Sequence, residues 1–97
     1  MRPRLGLALA GPMRATRIGR CLAGDLRARL TGADRRRLER ADFLVGARRV
    51  ARQGRPPFAR TISRERVRRG RRVRLRVRAL LRDGRVVTLD RRMVWCR

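Results

Sequence analysis

The sequence predicts an all-β chain, an antiparallel β-sandwich of five to seven short strands built as one small domain. Apolar residues alternate with arginine at period two over Val73, Leu75, Val77, Ala79 and Leu81, giving a strand with one apolar and one charged face. Shorter alternating segments recur at spacings of about ten residues, each closed by turn residues. The length of 97 residues leaves room for one modest core and not for several domains.

The N-terminus carries a different signal. Met1 to Arg4 is basic, Leu5 to Gly11 is a short apolar run, and Pro12 breaks it, which is the order of parts in a secretory signal. The small-x-small pattern at Ala8, Leu9 and Ala10 falls inside the apolar run. Residues 1–20 are therefore expected to be a leader or degenerate signal-like segment, and residues 21–97 the sandwich domain. No stretch approaches the roughly 18–20 apolar residues of a membrane span.

From Cys21 the strands follow in order. Leu26, Ala28 and Leu30 alternate with Arg27 and Arg29 before Thr31-Gly32. Ala33 to Ala41 has two readings, a connection into the next strand or a helix capped by Asp34. Ala41, Phe43 and Val45 alternate before a tight turn at Gly46-Ala47, and Arg49-Val50-Ala51 is its far side. Gly54 and Pro56-Pro57 end that ladder, because proline has no N–H to donate. Phe58, Arg60 and Ile62 alternate again, and Ser63 to Arg69 reads as a loop or one helical turn ending at Gly70. The strand Val73–Leu81 then meets Asp83-Gly84, a dipeptide that accepts the positive φ of hairpin turns, and Val86-Val87-Thr88-Leu89 resumes a β-branched run. The return strand is expected to reach Cys96. Its apolar residues Val87, Leu89, Met93 and Trp95 share one parity, with Arg91 as the exception.

Cys21 and Cys96 bracket this whole region. In a short chain with a signal-like start such a pair reads as a disulfide, worth about 4 kcal/mol in the chain-entropy view; the competing reading is two unrelated thiols. With no His and no second cysteine pair, a tetrahedral zinc site lacks ligands, and no cofactor is expected. Trp95 is expected to pack across the sandwich edge.

The basic residues number 30, all arginine, against 7 acidic ones, for a net charge of +23. His, Tyr, Lys and Asn are absent and Ser63 is the sole serine, so the usual nucleophile and general-base pairings cannot be assembled and no enzyme is expected. A basic domain gains affinity for phosphates by releasing counterions, and a small cytoplasmic nucleic-acid module is the alternative reading. Against it, Arg without Lys beside abundant Ala, Gly, Leu and Val is what GC-rich coding produces. Phe43, Phe58 and Trp95 are the only aromatics, and none alternates with basic residues as a stacking platform would. Arg69-Gly70-Arg71 is a single glycine-arginine copy and reads as a turn.

Ala41 to Ala51 followed by Pro57-Phe58 resembles bacterial Ig-like domains in which a V-x-F-x-V-D-G-x-x-V-A hairpin precedes D-x-x-x-P-[FY]. Arg69 to Ala79 is similar to their G-x-H-x-V-x-A-x-A strand, and Asp83 to Leu89 to their D-G-R-x-x-T hairpin. Gly46-Ala47 stands where those domains carry Asp-Gly, and Arg72 where they carry His. Arg-rich versions with a cysteine at each end look like domains of secreted actinobacterial proteins. The resemblance covers about Cys21 to Cys96. It implies an Ig-like sandwich and a secreted or cell-surface spacer, adhesion or accessory role, and brings no active site with it.

Arg72, Arg74, Arg76 and Arg78, projecting from one strand face at intervals of about 6.5–7 Å, form the candidate anion-binding row. Guanidinium pairs bidentately with phosphate or carboxylate, so teichoic or other acidic, anionic cell-envelope polymers, anionic lipid surfaces or DNA are candidate partners of this row, along with other protein domains. Nucleic acid is expected to bind non-specifically at low salt. The competing reading is a solvated face whose charge keeps the sheet from aggregating. Arg36, Arg37 and Arg40 are candidates to extend the patch, Asp90 and Glu39 are expected as local salt-bridge partners, and the chain is expected to be a monomer.

Overall fold

The structure, a computed structural model, describes residues 3–63 and 72–96. The expected loop after Ser63 and the Arg69-Gly70-Arg71 turn lie outside the described residues. Described strands are β1 (Gly6–Ala10), β2 (Met13–Thr16), β3 (Gly19–Leu22), β4 (Leu26–Thr31), β5 (Leu38–Val45), β6 (Arg48–Gln53), β7 (Ala59–Ile62), β8 (Arg72–Leu81) and β9 (Val86–Val94). They form a three-stranded sheet ordered β1-β4-β7, a four-stranded sheet ordered β6-β5-β8-β9, and a separate β2–β3 hairpin. Every strand pairing is antiparallel. This is the predicted sandwich.

The core follows from the period-two pattern. Leu7, Leu26, Ala28, Leu30 and Ile62 come from one sheet, and Ala41, Phe43, Leu75, Val77, Ala79 and Leu81 from the other; all are buried in one cluster. Each fully buried side chain of the Leu, Val or Phe type stabilises by about 1.5–3 kcal/mol. Trp95, 1% exposed, closes one end of the core and donates its indole N–H to the Gly24 carbonyl at 3.1 Å. It also bridges to Leu22, so the end of the chain meets β3.

Two turns set the register of the larger sheet. Val45 pairs with Arg48 across Gly46-Ala47, and Gly46 at φ 62° supplies the positive φ that a type II′ hairpin needs at its first central position. The β8–β9 connection is one residue longer than a two-residue turn. Leu81 donates its N–H to the Arg85 carbonyl, Gly84 to the Leu81 carbonyl, and Gly84 has φ 92°, so Arg82, Asp83 and Gly84 form the loop. The ladder beyond it pairs Leu80 with Val86 and Arg76 with Asp90.

Strands also occur within residues 1–20. Residues 6–10 are the edge strand β1, paired with β4 from Gly6↔Thr31 to Ala10↔Arg27, and Leu7 is buried between the sheets. Residues 13–22 form the hairpin, so the described fold runs through the boundary expected at residue 21 without a break. Ala33–Arg37 is a 3-10 helix rather than an α-helix reaching Ala41, and β5 starts at Leu38. Asp34 does not cap it. Its carboxylate accepts the Arg4 backbone N–H at 2.6 Å, and its own N–H returns to the Arg4 carbonyl at 3.1 Å, which ties the start of β1 to this corner.

Candidate anion-binding face

Alternation along β8 turns Leu75, Val77, Ala79 and Leu81 into the core and Arg72, Arg74, Arg76 and Arg78 to the outer face of the four-stranded sheet. The neighbouring strands bring more arginine to the same face. Arg92 of β9 lies opposite Arg74, and on the other side Arg40, Arg49 and Arg52 flank β5 and β6. Asp90, opposite Arg76, and Asp42, opposite both Arg78 and Arg52, are the acids there.

These two carboxylates divide the predicted row. Asp90 Oδ1 accepts from Arg74 Nε at 3.0 Å and from Arg76 Nε at 3.2 Å. Partial desolvation pushes the Asp90 carboxyl up, but the hydrogen bonds from Arg76 and Arg74 outweigh it and hold the group below the usual carboxylate range. Arg72 and Arg78 make no ion pair among the described residues. Asp42 accepts from Arg52 Nε at 2.7 Å and has Arg40 Nε at 3.9 Å. The Arg52 hydrogen bond is the main reason its carboxyl also sits low. Of the arginines considered as extensions, Arg40 joins this face, whereas Arg36 and Arg37 lie on the 3-10 helix and Arg37 faces Asp34 at 4.0 Å. Glu39 pairs with no arginine among the described residues.

Two concave features have no signal in the sequence. A groove of about 290 Å³ beside Pro56, Pro57 and Phe58 is rimmed by Arg29, Arg35 and Arg36. A cleft of about 460 Å³ separates the β2–β3 hairpin from the end of the larger sheet and includes Arg14, Ile18, Arg20, Arg72, Val94 and Trp95. Both are assembled from distant segments, and the second depends on a hairpin placed inside the expected leader. The Cys21–Cys96 disulfide borders the second cleft, with Cα atoms 5.0 Å apart and both residues buried. Among the described residues no group of three potential metal ligands occurs, and no helix is long and apolar enough to cross a membrane.

No protein-family model matches the chain, and no curated protein matches it in sequence. Among solved structures the chain is similar to the fibronectin(III)-like modules of Clostridium thermocellum CbhA, with a TM-score of 0.62 and 17% identity. The match spans 94% of this chain and 97% of that one. The fold is Ig-like. In this Ig-like domain the three-on-four sheet arrangement leaves the outer face of β6-β5-β8-β9 uncovered by any other described element, so its arginines face solvent.

Proposed function

We propose that this Ig-like domain is a non-catalytic module of a secreted or cell-surface bacterial protein, of the actinobacterial type, and that it docks anionic envelope polymers through the outer face of β8 and its neighbours. Arg40, Arg49 and Arg52 join Arg72, Arg74, Arg76, Arg78 and Arg92 there, opposed among the described residues by Asp42 and Asp90. That imbalance carries the reading: a face meant only to stay solvated does as well with both signs interspersed. A strand row with regular spacing matches a polymer with regularly repeated phosphates or carboxylates better than it matches one compact anion. The buried disulfide suits an oxidising compartment. Likeness to a fibronectin(III)-like module of CbhA supports a structural or binding role; in this reading the domain serves as a spacer or adhesion unit and is a monomer.

The test compares two charge-matched variants. Arg72→Glu with Arg78→Glu alters the members of the row that make no ion pair among the described residues, and Arg27→Glu with Arg29→Glu makes the same charge change on the other sheet's outer face. Binding of poly(glycerol phosphate) at physiological salt is expected to fall at least tenfold further in the first than in the second. Equal losses refute a specific face, because +23 alone then explains the binding. Sequence-selective binding of duplex DNA that survives salt favours the cytoplasmic nucleic-acid module instead.

A further inference from the structure

The β2–β3 hairpin has a composition and placement that polymer binding does not use. All four residues of β2 are exposed, so neither face of the hairpin packs on the core along that strand. Its base is anchored: Ala23 N–H donates to the Pro12 carbonyl, Cys96 N–H donates to the Leu22 carbonyl, and the disulfide holds Cys21. Its tip presents Ile18, 93% exposed, with Met13, 54% exposed, on the same hairpin. Arg14, Arg17 and Arg20 lie on the same hairpin and are exposed, and residues 11–22 contain no acid.

We infer that this hairpin docks the domain onto an anionic phospholipid surface, with Ile18 entering the headgroup–acyl boundary and Arg14, Arg17 and Arg20 meeting lipid phosphates. Charge complementarity alone fits any polyanion, so the apolar tip decides between them. A soluble phosphate polymer offers no apolar phase to receive Ile18, a nucleic-acid duplex gripped through its phosphates offers none either, and a single strand is held by aromatic stacking platforms, which the hairpin lacks. A phospholipid supplies both parts, since basic side chains near the surface are drawn to the anionic leaflet while an apolar side chain gains by leaving water. The adjoining cleft, where Arg14, Arg20 and Arg72 stand beside Val94 and Trp95, gives a headgroup room next to the tip.

Ile18→Ser leaves the charge unchanged and touches no packed residue, so vesicle and polyanion binding separate cleanly. On sedimenting vesicles of mixed phosphatidylcholine and phosphatidylglycerol, Ile18→Ser is expected to bind about tenfold more weakly than the parent, the loss for partly burying one Ile side chain. Elution from heparin is expected to stay the same, and Ile18→Leu to retain vesicle binding. An Ile18→Trp variant is expected to blue-shift its emission on those vesicles and not on heparin. The inference is overturned by no vesicle binding of the parent, by unchanged vesicle binding of Ile18→Ser, by a matching loss on heparin, or by an unshifted Ile18→Trp emission. None of these outcomes bears on the β8 face, whose test uses a soluble polymer and leaves Ile18 in place.

Discussion

Reducing the Cys21–Cys96 bond is expected to bring the domain close to unfolding at room temperature. The cysteines are 75 residues apart in sequence, so the bond closes nearly the whole described fold into one loop. Chain-entropy arithmetic for a loop of that size gives about 4.5 kcal/mol of stabilisation at 25 °C. A domain of this length has about 5–15 kcal/mol in total, and this one also opposes its own charge. For a domain near 100 residues each kcal/mol moves Tm by about 4–8 °C, so reduction is expected to lower Tm by roughly 20 °C or more. Thermal melts by far-ultraviolet circular dichroism with and without reductant measure this directly. Intact mass after alkylation, before and after reduction, confirms that the two states differ only at the bond. Two thiols open to alkylation in the folded, unreduced protein refute the bracket. A bonded protein whose Tm moves by less than about 5 °C refutes the entropic reasoning, since that corresponds to about 1 kcal/mol.

Other outcomes follow from individual residues. Asp90→Asn frees Arg74 and Arg76, so retention on poly(glycerol phosphate) is expected to increase while urea midpoints move little, as exposed pairs contribute about 0–1 kcal/mol. Asp42 titrates lower in the folded state than its ordinary value of 3.8, so its contribution is present above that value and lost as pH falls through the depressed folded one. Asp42→Asn is therefore expected to flatten the stability decline between neutral pH and pH 3, read from urea midpoints across that range. Phe43→Ala opens the centre of the core, where Phe43 is 0% exposed, and is expected to cost about 3–5 kcal/mol by urea denaturation. Gly32→Ala puts a Cβ against the Arg4 carbonyl at a φ of 103°, and its loss of stability is expected to exceed about 1 kcal/mol in the same assay.

Strands whose two faces differ in chemistry are legible from the order of residues alone. Arginine alternates with Leu, Val and Ala along β8, so parity assigns Leu75, Val77, Ala79 and Leu81 to the core and Arg72, Arg74, Arg76 and Arg78 to the outside. β5 and its turn at Gly46 are readable for the same reason. β1 is not, because an Ala- and Leu-rich edge strand and the apolar part of a secretory signal share one composition, and the pairing with β4 is not written in that composition. The partner of Arg76 is hidden by loop length. A two-residue turn at Asp83-Gly84 sets Arg91 opposite Arg76, and the extra loop residue slides the ladder so that Asp90 takes that place. The row and Asp90 as a local salt-bridge partner are therefore visible in the sequence, while the arginine that this carboxylate stands opposite is not.

The edge position of β1 has a consequence for any processing of this chain. Cleavage after residue 20, as for a secretory leader, removes the strand that satisfies one side of β4 and takes Leu7 off the core beside Leu30. The shortened domain then presents a bare β4 margin with apolar Leu26, Ala28 and Leu30 behind it, a template that invites strand donation from a neighbouring copy or another polypeptide. A trimmed form is expected to associate through that margin, and an untrimmed form carries its own plug.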